Sequence, residues 1–424
     1  MNMKKQRRII TTAVIFVILA VIGLNLTACS ALTLSVKADD LMEGITAKMV
    51  AGKAADDIFI GNTANFSIEL FKKTITDKEN SLVSPLSVLL ALSMTANGAD
   101  GETLSQMEAL LGGNISINDL NEYLYSYANN LPNEKKSKLS IANSIWFRDD
   151  ENRLTVEKDF LQKNADYYNA AAYKSPFNEQ TLADINNWVK ANTDGMIEKI
   201  LESIDEDTVM YLINAIVFDA EWKTVYNKNN VGSGEFTSID GNKQAVDMMA
   251  SEENLYLYDG KATGFIKPYA NDKYSFVALL PNENVVIEDY IASLTGESFL
   301  NIIKNAENSL VSATMPKFSY DYTIKMNDAL KALGMPIAFT ASGADFSKLG
   351  KSSRGNIYIG EVLHKTFISV DELGTKAGAV TKVEMRSGSY TEPKIVKLDR
   401  PFVYAIIDNA TNLPVFIGTV MSVD

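Results

Sequence analysis

One cysteine and one histidine in 424 residues exclude whole classes of chemistry. A lone Cys29 closes no disulfide within the chain. Cys29 and His364 are too few to build a zinc or iron–sulfur site. No Gly-rich phosphate loop is present, so neither a metal nor any other cofactor is expected. A Ser-His-Asp hydrolase would have to use His364, and no G-x-S-x-G turn presents a serine to it. The acidic runs Asp149-Asp150-Glu151 and Asp205-Glu206-Asp207 lie in polar surroundings and read as solvated turns. An enzyme is therefore not expected. Positive charge is in deficit as well: 40 Lys and Arg face 53 Asp and Glu, for a net charge of −13. That balance argues against nucleic acid and heparin-like polyanions as partners. Repeats, low-complexity tracts and Gly/Pro-rich linkers are all missing beyond about residue 55, so the body is expected to be one domain.

What is present is material for a large core, with 46% hydrophobic and 22% charged residues, as in ordinary globular proteins. Phe66, Leu70 and Phe71 fall at helical spacing. Ser84 suits a helix cap and Pro85 its first turn. Leu86, Leu89, Leu90 and Met94 then line one face, and Asn97-Gly98 is a stop signal. Residues 100–112 repeat this logic with Leu104, Met107, Leu110 and Leu111, and residues 181–192 do so with Ile185, Trp188 and Val189. Residues 209–218 are nearly all apolar and predict a strand buried on both faces. Further strands are expected at 274–280, ended by Pro281, and at 402–407 and 415–421, joined by the turn residues 408–412. Helices first and mainly strands afterwards indicate the α+β class.

The most distinctive stretch is 372–393. Thr375, Ala377, Ala379, Thr381, Val383 and Met385 are small or apolar. Lys376, Gly378, Val380, Lys382, Glu384 and Arg386 alternate with them, and four of these six are charged. A period of two over this length is that of a strand with one buried face. Gly374 permits backbone angles that suit a hinge. Ser387-Gly388-Ser389-Tyr390-Thr391 is polar and soft, and Pro393 follows. Taken by itself, the segment is a half-buried strand followed by a loop.

At the other end, Lys4, Lys5, Arg7 and Arg8 precede an apolar run from Ile9 to Leu24. Leu26-Thr27-Ala28-Cys29 then resembles a bacterial lipobox. The resemblance implies that residues 1–28 are a signal peptide and that Cys29 is lipidated. Residues 29–55 would form a tether, and the protein would sit on the outer face of a bacterial cell envelope, lipid-anchored or released. Two acyl chains on one Cys suffice for stable anchoring. The competing reading is an uncleaved membrane anchor, for which the run is short and carries Thr11 and Thr12. Cleavage would remove four positive charges and take the body from −13 to about −17.

Glu372-Leu373-Gly374-Thr375, followed by Ala377-Gly378-Ala379, resembles the proximal hinge of the serpin reactive loop. It departs from the pattern at Leu373, where a charged residue is usual, and at Val380, which ends the small run early. The resemblance extends over residues 56–424. Asn80, Ser84-Pro85, Ser87, Leu92, Gly98 and Thr103 match in order, then Asn214, Phe218 and Trp222, then Met248-Met249, Leu280-Pro281 and Pro316-Lys317-Phe318. Ala344-Asp345-Phe346-Ser347, His364-Lys365, Arg400-Pro401-Phe402 and Phe416-Ile417-Gly418 complete the set.

The resemblance implies the serpin fold, an α+β fold with three β-sheets (A, B and C), about nine helices and an exposed reactive-centre loop over 372–393. It implies a monomeric suicide inhibitor whose partner is a serine protease, held as a covalent complex after loop cleavage and insertion into the main sheet. It also groups Ser84, Ser87, Asn214 and His364 as a polar shutter beneath that sheet; without it they would be four polar residues satisfied locally. Two rulers place the scissile bond. Counting forward from Glu372 gives Gly388–Ser389, which suits elastase-like or subtilisin-like enzymes. Counting back from Arg400 gives Tyr390–Thr391, which suits chymotrypsin-like ones. Ser387–Gly388 and Ser389–Tyr390 are the neighbouring alternatives. The alternative function is a non-inhibitory serpin, a carrier or chaperone; such members carry bulky, charged or Pro residues in the hinge, and here Thr375, Ala377 and Ala379 are small.

Overall fold

Ser84 begins the helix on which the rest of the molecule rests. Its Oγ accepts the N–H of Ser87 at 3.4 Å, and Pro85 occupies the first turn, where a missing N–H costs nothing. All twelve residues of Pro85–Ala96 are buried, so the helix runs through the interior. Thr95, one of its buried hydroxyl residues, returns its Oγ1 to the Ala91 carbonyl at 3.1 Å. The helix stops at Asn97, and Gly98 lies so close to Leu349 that a Cβ would meet the Leu349 Cβ at 2.4 Å.

The computed structural model describes residues 36–423 except 77, 135, 150–152, 354 and 376–391. Within them the chain is a mixed α+β structure with three sheets. The main sheet has seven strands, in spatial order Asp39–Asp40, Ala171–Ser175, Ser137–Arg148, Met210–Glu221, Gly374–Thr375, Glu361–Val370 and Phe318–Lys325. Met210–Glu221 is its centre and is buried almost throughout, as its apolar run predicts. A nine-stranded sheet packs behind it and includes Lys243–Tyr258, Ala262–Pro268, Tyr274–Pro281, Phe402–Asp408 and Pro414–Val420. Leu154–Val156 and Gly350–Ser352 form the third, a two-stranded pair. Tyr320 ties the first two sheets together. Its hydroxyl meets the carbonyls of Ser81 and Thr419 and the hydroxyl of Tyr404, at 2.9, 3.0 and 2.6 Å.

The tether expected over 29–55 is corrected for its described part. From Lys37 onward the segment belongs to the body. The N–H groups of Lys37 and Ala38 donate to the buried carboxylate of Asp184 at 3.0 and 2.9 Å. Asp39–Asp40 adds an edge strand to Ala171–Ser175. Leu41, Met42 and Ile45 then pack against the core. These apolar residues and backbone donors have partners on the body, so the segment does not trail free. Cys29 and the leader lie outside the described residues.

Candidate functional site

The two central strands of the main sheet define a slot with two different ends. At the lower end Glu361–Val370 runs parallel to Met210–Glu221, with residues Glu361 to Lys365 paired to Tyr211 to Ala215. His364 stands opposite Asn214 in that register, and both are fully buried. The ring Nε2 accepts the N–H of Ser84 at 3.1 Å. Its proton is therefore on Nδ1, which donates to Asn214 Oδ1 at 2.6 Å. Ser87 Oγ donates to the same oxygen at 2.7 Å. Burial pushes the His364 pKa down to about 3, so the imidazole is neutral. The structure thus brings together Ser84, Ser87, Asn214 and His364, which the sequence grouped only through a resemblance. It adds Asn143, whose Oδ1 accepts from Asn214 Nδ2. Asn143 lies on Ser137–Arg148, directly opposite Asn214, so the polar chain crosses three strands.

At the upper end the two strands part, and the gap is filled by the chain itself. Gly374–Thr375 lies antiparallel to both, with Thr375 facing Ala220 on one side and Val370 on the other. Only glycine fits at 374, because a Cβ there would stand 2.1 Å from the Ala220 carbonyl oxygen. Thr375 thus already lies within the main sheet. It is 2% exposed, and its hydroxyl pairs with Tyr269 Oη at 2.6 Å. Tyr269 stacks on Trp222, with centroids 4.5 Å apart, and meets the edge of Phe218. Burial raises its phenol far above the usual range, so it stays protonated.

The residues before the hinge are held as firmly. Asp371 Oδ1 accepts the N–H groups of Leu373 and Gly374, at 2.8 and 3.2 Å, which forms a turn. The carbonyls of Asp371, Glu372 and Leu373 accept from Trp222 Nε1 and from the N–H groups of Tyr226 and Trp222, each at 2.9 Å. Glu372 pairs with Lys317 at 2.7 Å, and the Lys317 ammonium holds the Glu372 carboxyl below its usual range. Of the proposed hinge, Glu372, Gly374 and Thr375 are thus placed. Ala377, Gly378 and Ala379, and the scissile candidates Ser387, Gly388, Ser389, Tyr390 and Thr391, lie outside the described residues. Sequence reasoning missed Asn143, Tyr269 and Tyr226. Tyr269 carries a faint signal, since it ends the run Ile266-Lys267-Pro268-Tyr269 just before a strand, but nothing local links it to residue 375.

The family model described as Serpin (serine protease inhibitor) matches residues 61–423. The chain is a serpin. Among solved structures it is similar to tengpin, a thermophilic serpin, in its native state. The identity is 61%, covering 92% of this chain and all of that one, with a TM-score of 0.89. Against the latent state of tengpin the identity is 62%, the coverage 88% and 100%, and the TM-score 0.79. Human neuroserpin is 28% identical over 84% of this chain and 90% of its own. The members of this family are typically protease inhibitors. The motif residues that carried the resemblance turn out to be joints between elements. Asn80 Oδ1 accepts the N–H groups of Met421 and Ser422 at 2.6 and 3.1 Å, and Thr103 Oγ1 accepts that of Asp345 at 2.8 Å. Arg400 Nη2 donates to the Pro281 carbonyl at 2.8 Å.

Proposed function

We propose that this serpin is a suicide-substrate inhibitor of serine proteases with elastase-, subtilisin- or chymotrypsin-like specificity, and that it has no catalytic activity of its own. The observation that carries the reading is the hinge: Gly374–Thr375 already occupies the mouth of the slot in the strand position that the following residues would extend. The protease serine attacks the carbonyl of the scissile residue, Gly388 being the first choice. The peptide bond to Ser389 breaks, the amine of Ser389 leaves, and an acyl ester joins the enzyme to residue 388. Lys376 onward then follows Thr375 downward as a new strand. Ala377, Ala379, Thr381, Val383 and Met385 would face the core, and the charged residues between them would face water. A strand from 375 to 388 spans on the order of 45–50 Å at ~3.4 Å per residue. The bound protease is carried that far and deformed before water can hydrolyse the ester.

The driving force is large. About a dozen new backbone hydrogen bonds contribute roughly 0.5–1.5 kcal/mol each. The native state is therefore metastable and protected by a barrier, and the latent form of the similar tengpin fits that picture. Intact-mass analysis of mixtures with proteases tests the reading, because the covalent adduct and the cut position appear together. The carrier or chaperone alternative would give cleavage without an adduct. We further propose that Cys29 is lipidated and anchors the protein at the outer face of a bacterial envelope. Cys29→Ser should then release it, and a mature cytoplasmic protein retaining residues 1–28 would contradict this.

A further inference from the structure

We propose that the buried ion pair Lys267–Glu253 is the positioning element of the hinge, holding Trp222 and Tyr226 where their N–H groups meet the carbonyls of residues 371–373. This rests on reading that segment as the hinge of an inhibitory loop. Lys267 and Glu253 are 2% and 6% exposed, and their charged atoms stand 2.7 Å apart. Ser251 Oγ donates to the same Glu253 oxygen at 2.7 Å. The Lys267 ammonium also lies 4.3 Å from the ring centroid of Tyr226 and 5.4 Å from that of Trp222. A desolvated ammonium attracts the faces of both rings. Those two residues hold three successive carbonyls ahead of Gly374. Thr375's partner Tyr269 follows Lys267 by two residues and stacks on Trp222. One charge thus meets both clamps and adjoins the third.

Stability alone does not call for this arrangement. Two apolar side chains of similar volume would fill the space without desolvating two charges, and such replacements are often neutral or stabilising. What they would lack is direction, because an aliphatic core contact leaves ring position free where an ammonium fixes it. The pair is carried on Lys243–Tyr258 and Ala262–Pro268 of the nine-stranded sheet, while the rings follow the central strand of the main sheet. It therefore ties the hinge to the nine-stranded sheet as well as to the main one.

The test is amide hydrogen exchange of the full chain with no protease present, on Lys267→Met and on Lys267→Met/Glu253→Leu, alongside thermal unfolding. In both variants the amides of Trp222 and Tyr226 should lose at least about tenfold in protection, while Tyr211 to Ala215 at the closed end keep theirs. The double variant should recover the unfolding temperature lost by the single one and still lack hinge protection. If the double variant recovers both, or if protection falls uniformly over the sheet, the pair is only core filling and the proposal fails. Should Lys267→Met fail to fold, the double variant decides alone. Because no protease takes part, failure to inhibit any protease would remove the inhibitory reading and leave this result standing.

Discussion

The two ends of one slot are closed by different physics. Below, a polar chain from Ser84 through His364 and Asn214 to Asn143 joins strands and helix by directional bonds. Above, among the described residues, no ladder joins those two strands directly, and the seal is a stack of rings with two residues of the chain's own loop paired between them. Polar bonds in a dry interior are costly to break singly, since each orphaned partner loses its hydration as well. Aromatic contacts tolerate sliding and keep most of their burial. On the proposed mechanism, the lower end would set when the sheet opens and the upper end where the opening begins. A strand that inserted from above would meet the rings first and the polar lock six residues later, since Thr375 faces Ala220 and the lock sits at Asn214 on the same strand.

The largest effect is expected from a charge at the upper end. Thr375→Arg must desolvate a guanidinium beside Tyr269 and Ala220 or leave the slot, at a cost of several kcal/mol. The hinge should move out and insertion should slow. Protease cleavage should persist while SDS-stable complex disappears, and Lys376→Arg should behave as wild type. Gel analysis of protease mixtures distinguishes these outcomes; a stable complex from Thr375→Arg would mean that the hinge is not the route of insertion.

Next comes the lock. His364→Ala leaves the Ser84 N–H short of its acceptor and Asn214 Oδ1 short of a donor, costing ~1–3 kcal/mol. It should speed conversion to latent or polymeric forms more than it lowers the unfolding temperature. Equal effects on both would make the cluster a stability feature only.

The same histidine gives the lower end a pH signature. Its pKa falls from 6.5 to about 3 on folding. The contribution to stability is complete above pH 6.5. Below that the unfolded chain takes up a proton and the folded one does not, so stability falls by ~1.4 kcal/mol per pH unit until about pH 3. Comparing denaturant midpoints of wild type and His364→Gln over pH 7 to 4 isolates this slope, which should vanish in the variant.

The smallest effect belongs to Tyr269→Phe. It removes the hydroxyl partner of Thr375 and keeps the stack on Trp222, so a loss of ~1 kcal/mol is expected. It should appear as weaker exchange protection at Thr375 and Ala220 with His364 and its neighbours unaffected.

Much of this division was legible in the sequence, and the unread part has a common cause. Ser84-Pro85 announces a helix start because capping is local chemistry. The run from Met210 announces a doubly buried strand because a nearly unbroken apolar stretch fits a strand covered on both faces. The hinge at Glu372 to Thr375 was readable through the serpin resemblance, since the alternation beyond Thr375 by itself reads as a half-buried strand. Ser137–Arg148 was not readable, because Ser140, Asn143 and Ser144 interrupt its apolar pattern, and their reason is a register with Met210–Glu221 that no local rule supplies. Lys267 is similar: a charged residue in a strand reads as solvent-facing until Glu253 is found across the hairpin. The segment after Lys37 was misread because its ties are mostly backbone donors to distant carboxylates such as Asp184 and Asp166. Residues that answer to their neighbours were readable, and residues that answer to another strand needed the fold.

The central claim is that the slot is built to receive the loop. The most direct test is thermal unfolding of one preparation before and after a single cut in the loop at residues 387–391. Insertion adds about a dozen backbone hydrogen bonds to the main sheet and should raise the unfolding temperature by on the order of 20 °C. Cleavage that leaves the transition unchanged would mean that the loop does not enter the sheet, and the inhibitory mechanism would fall with it.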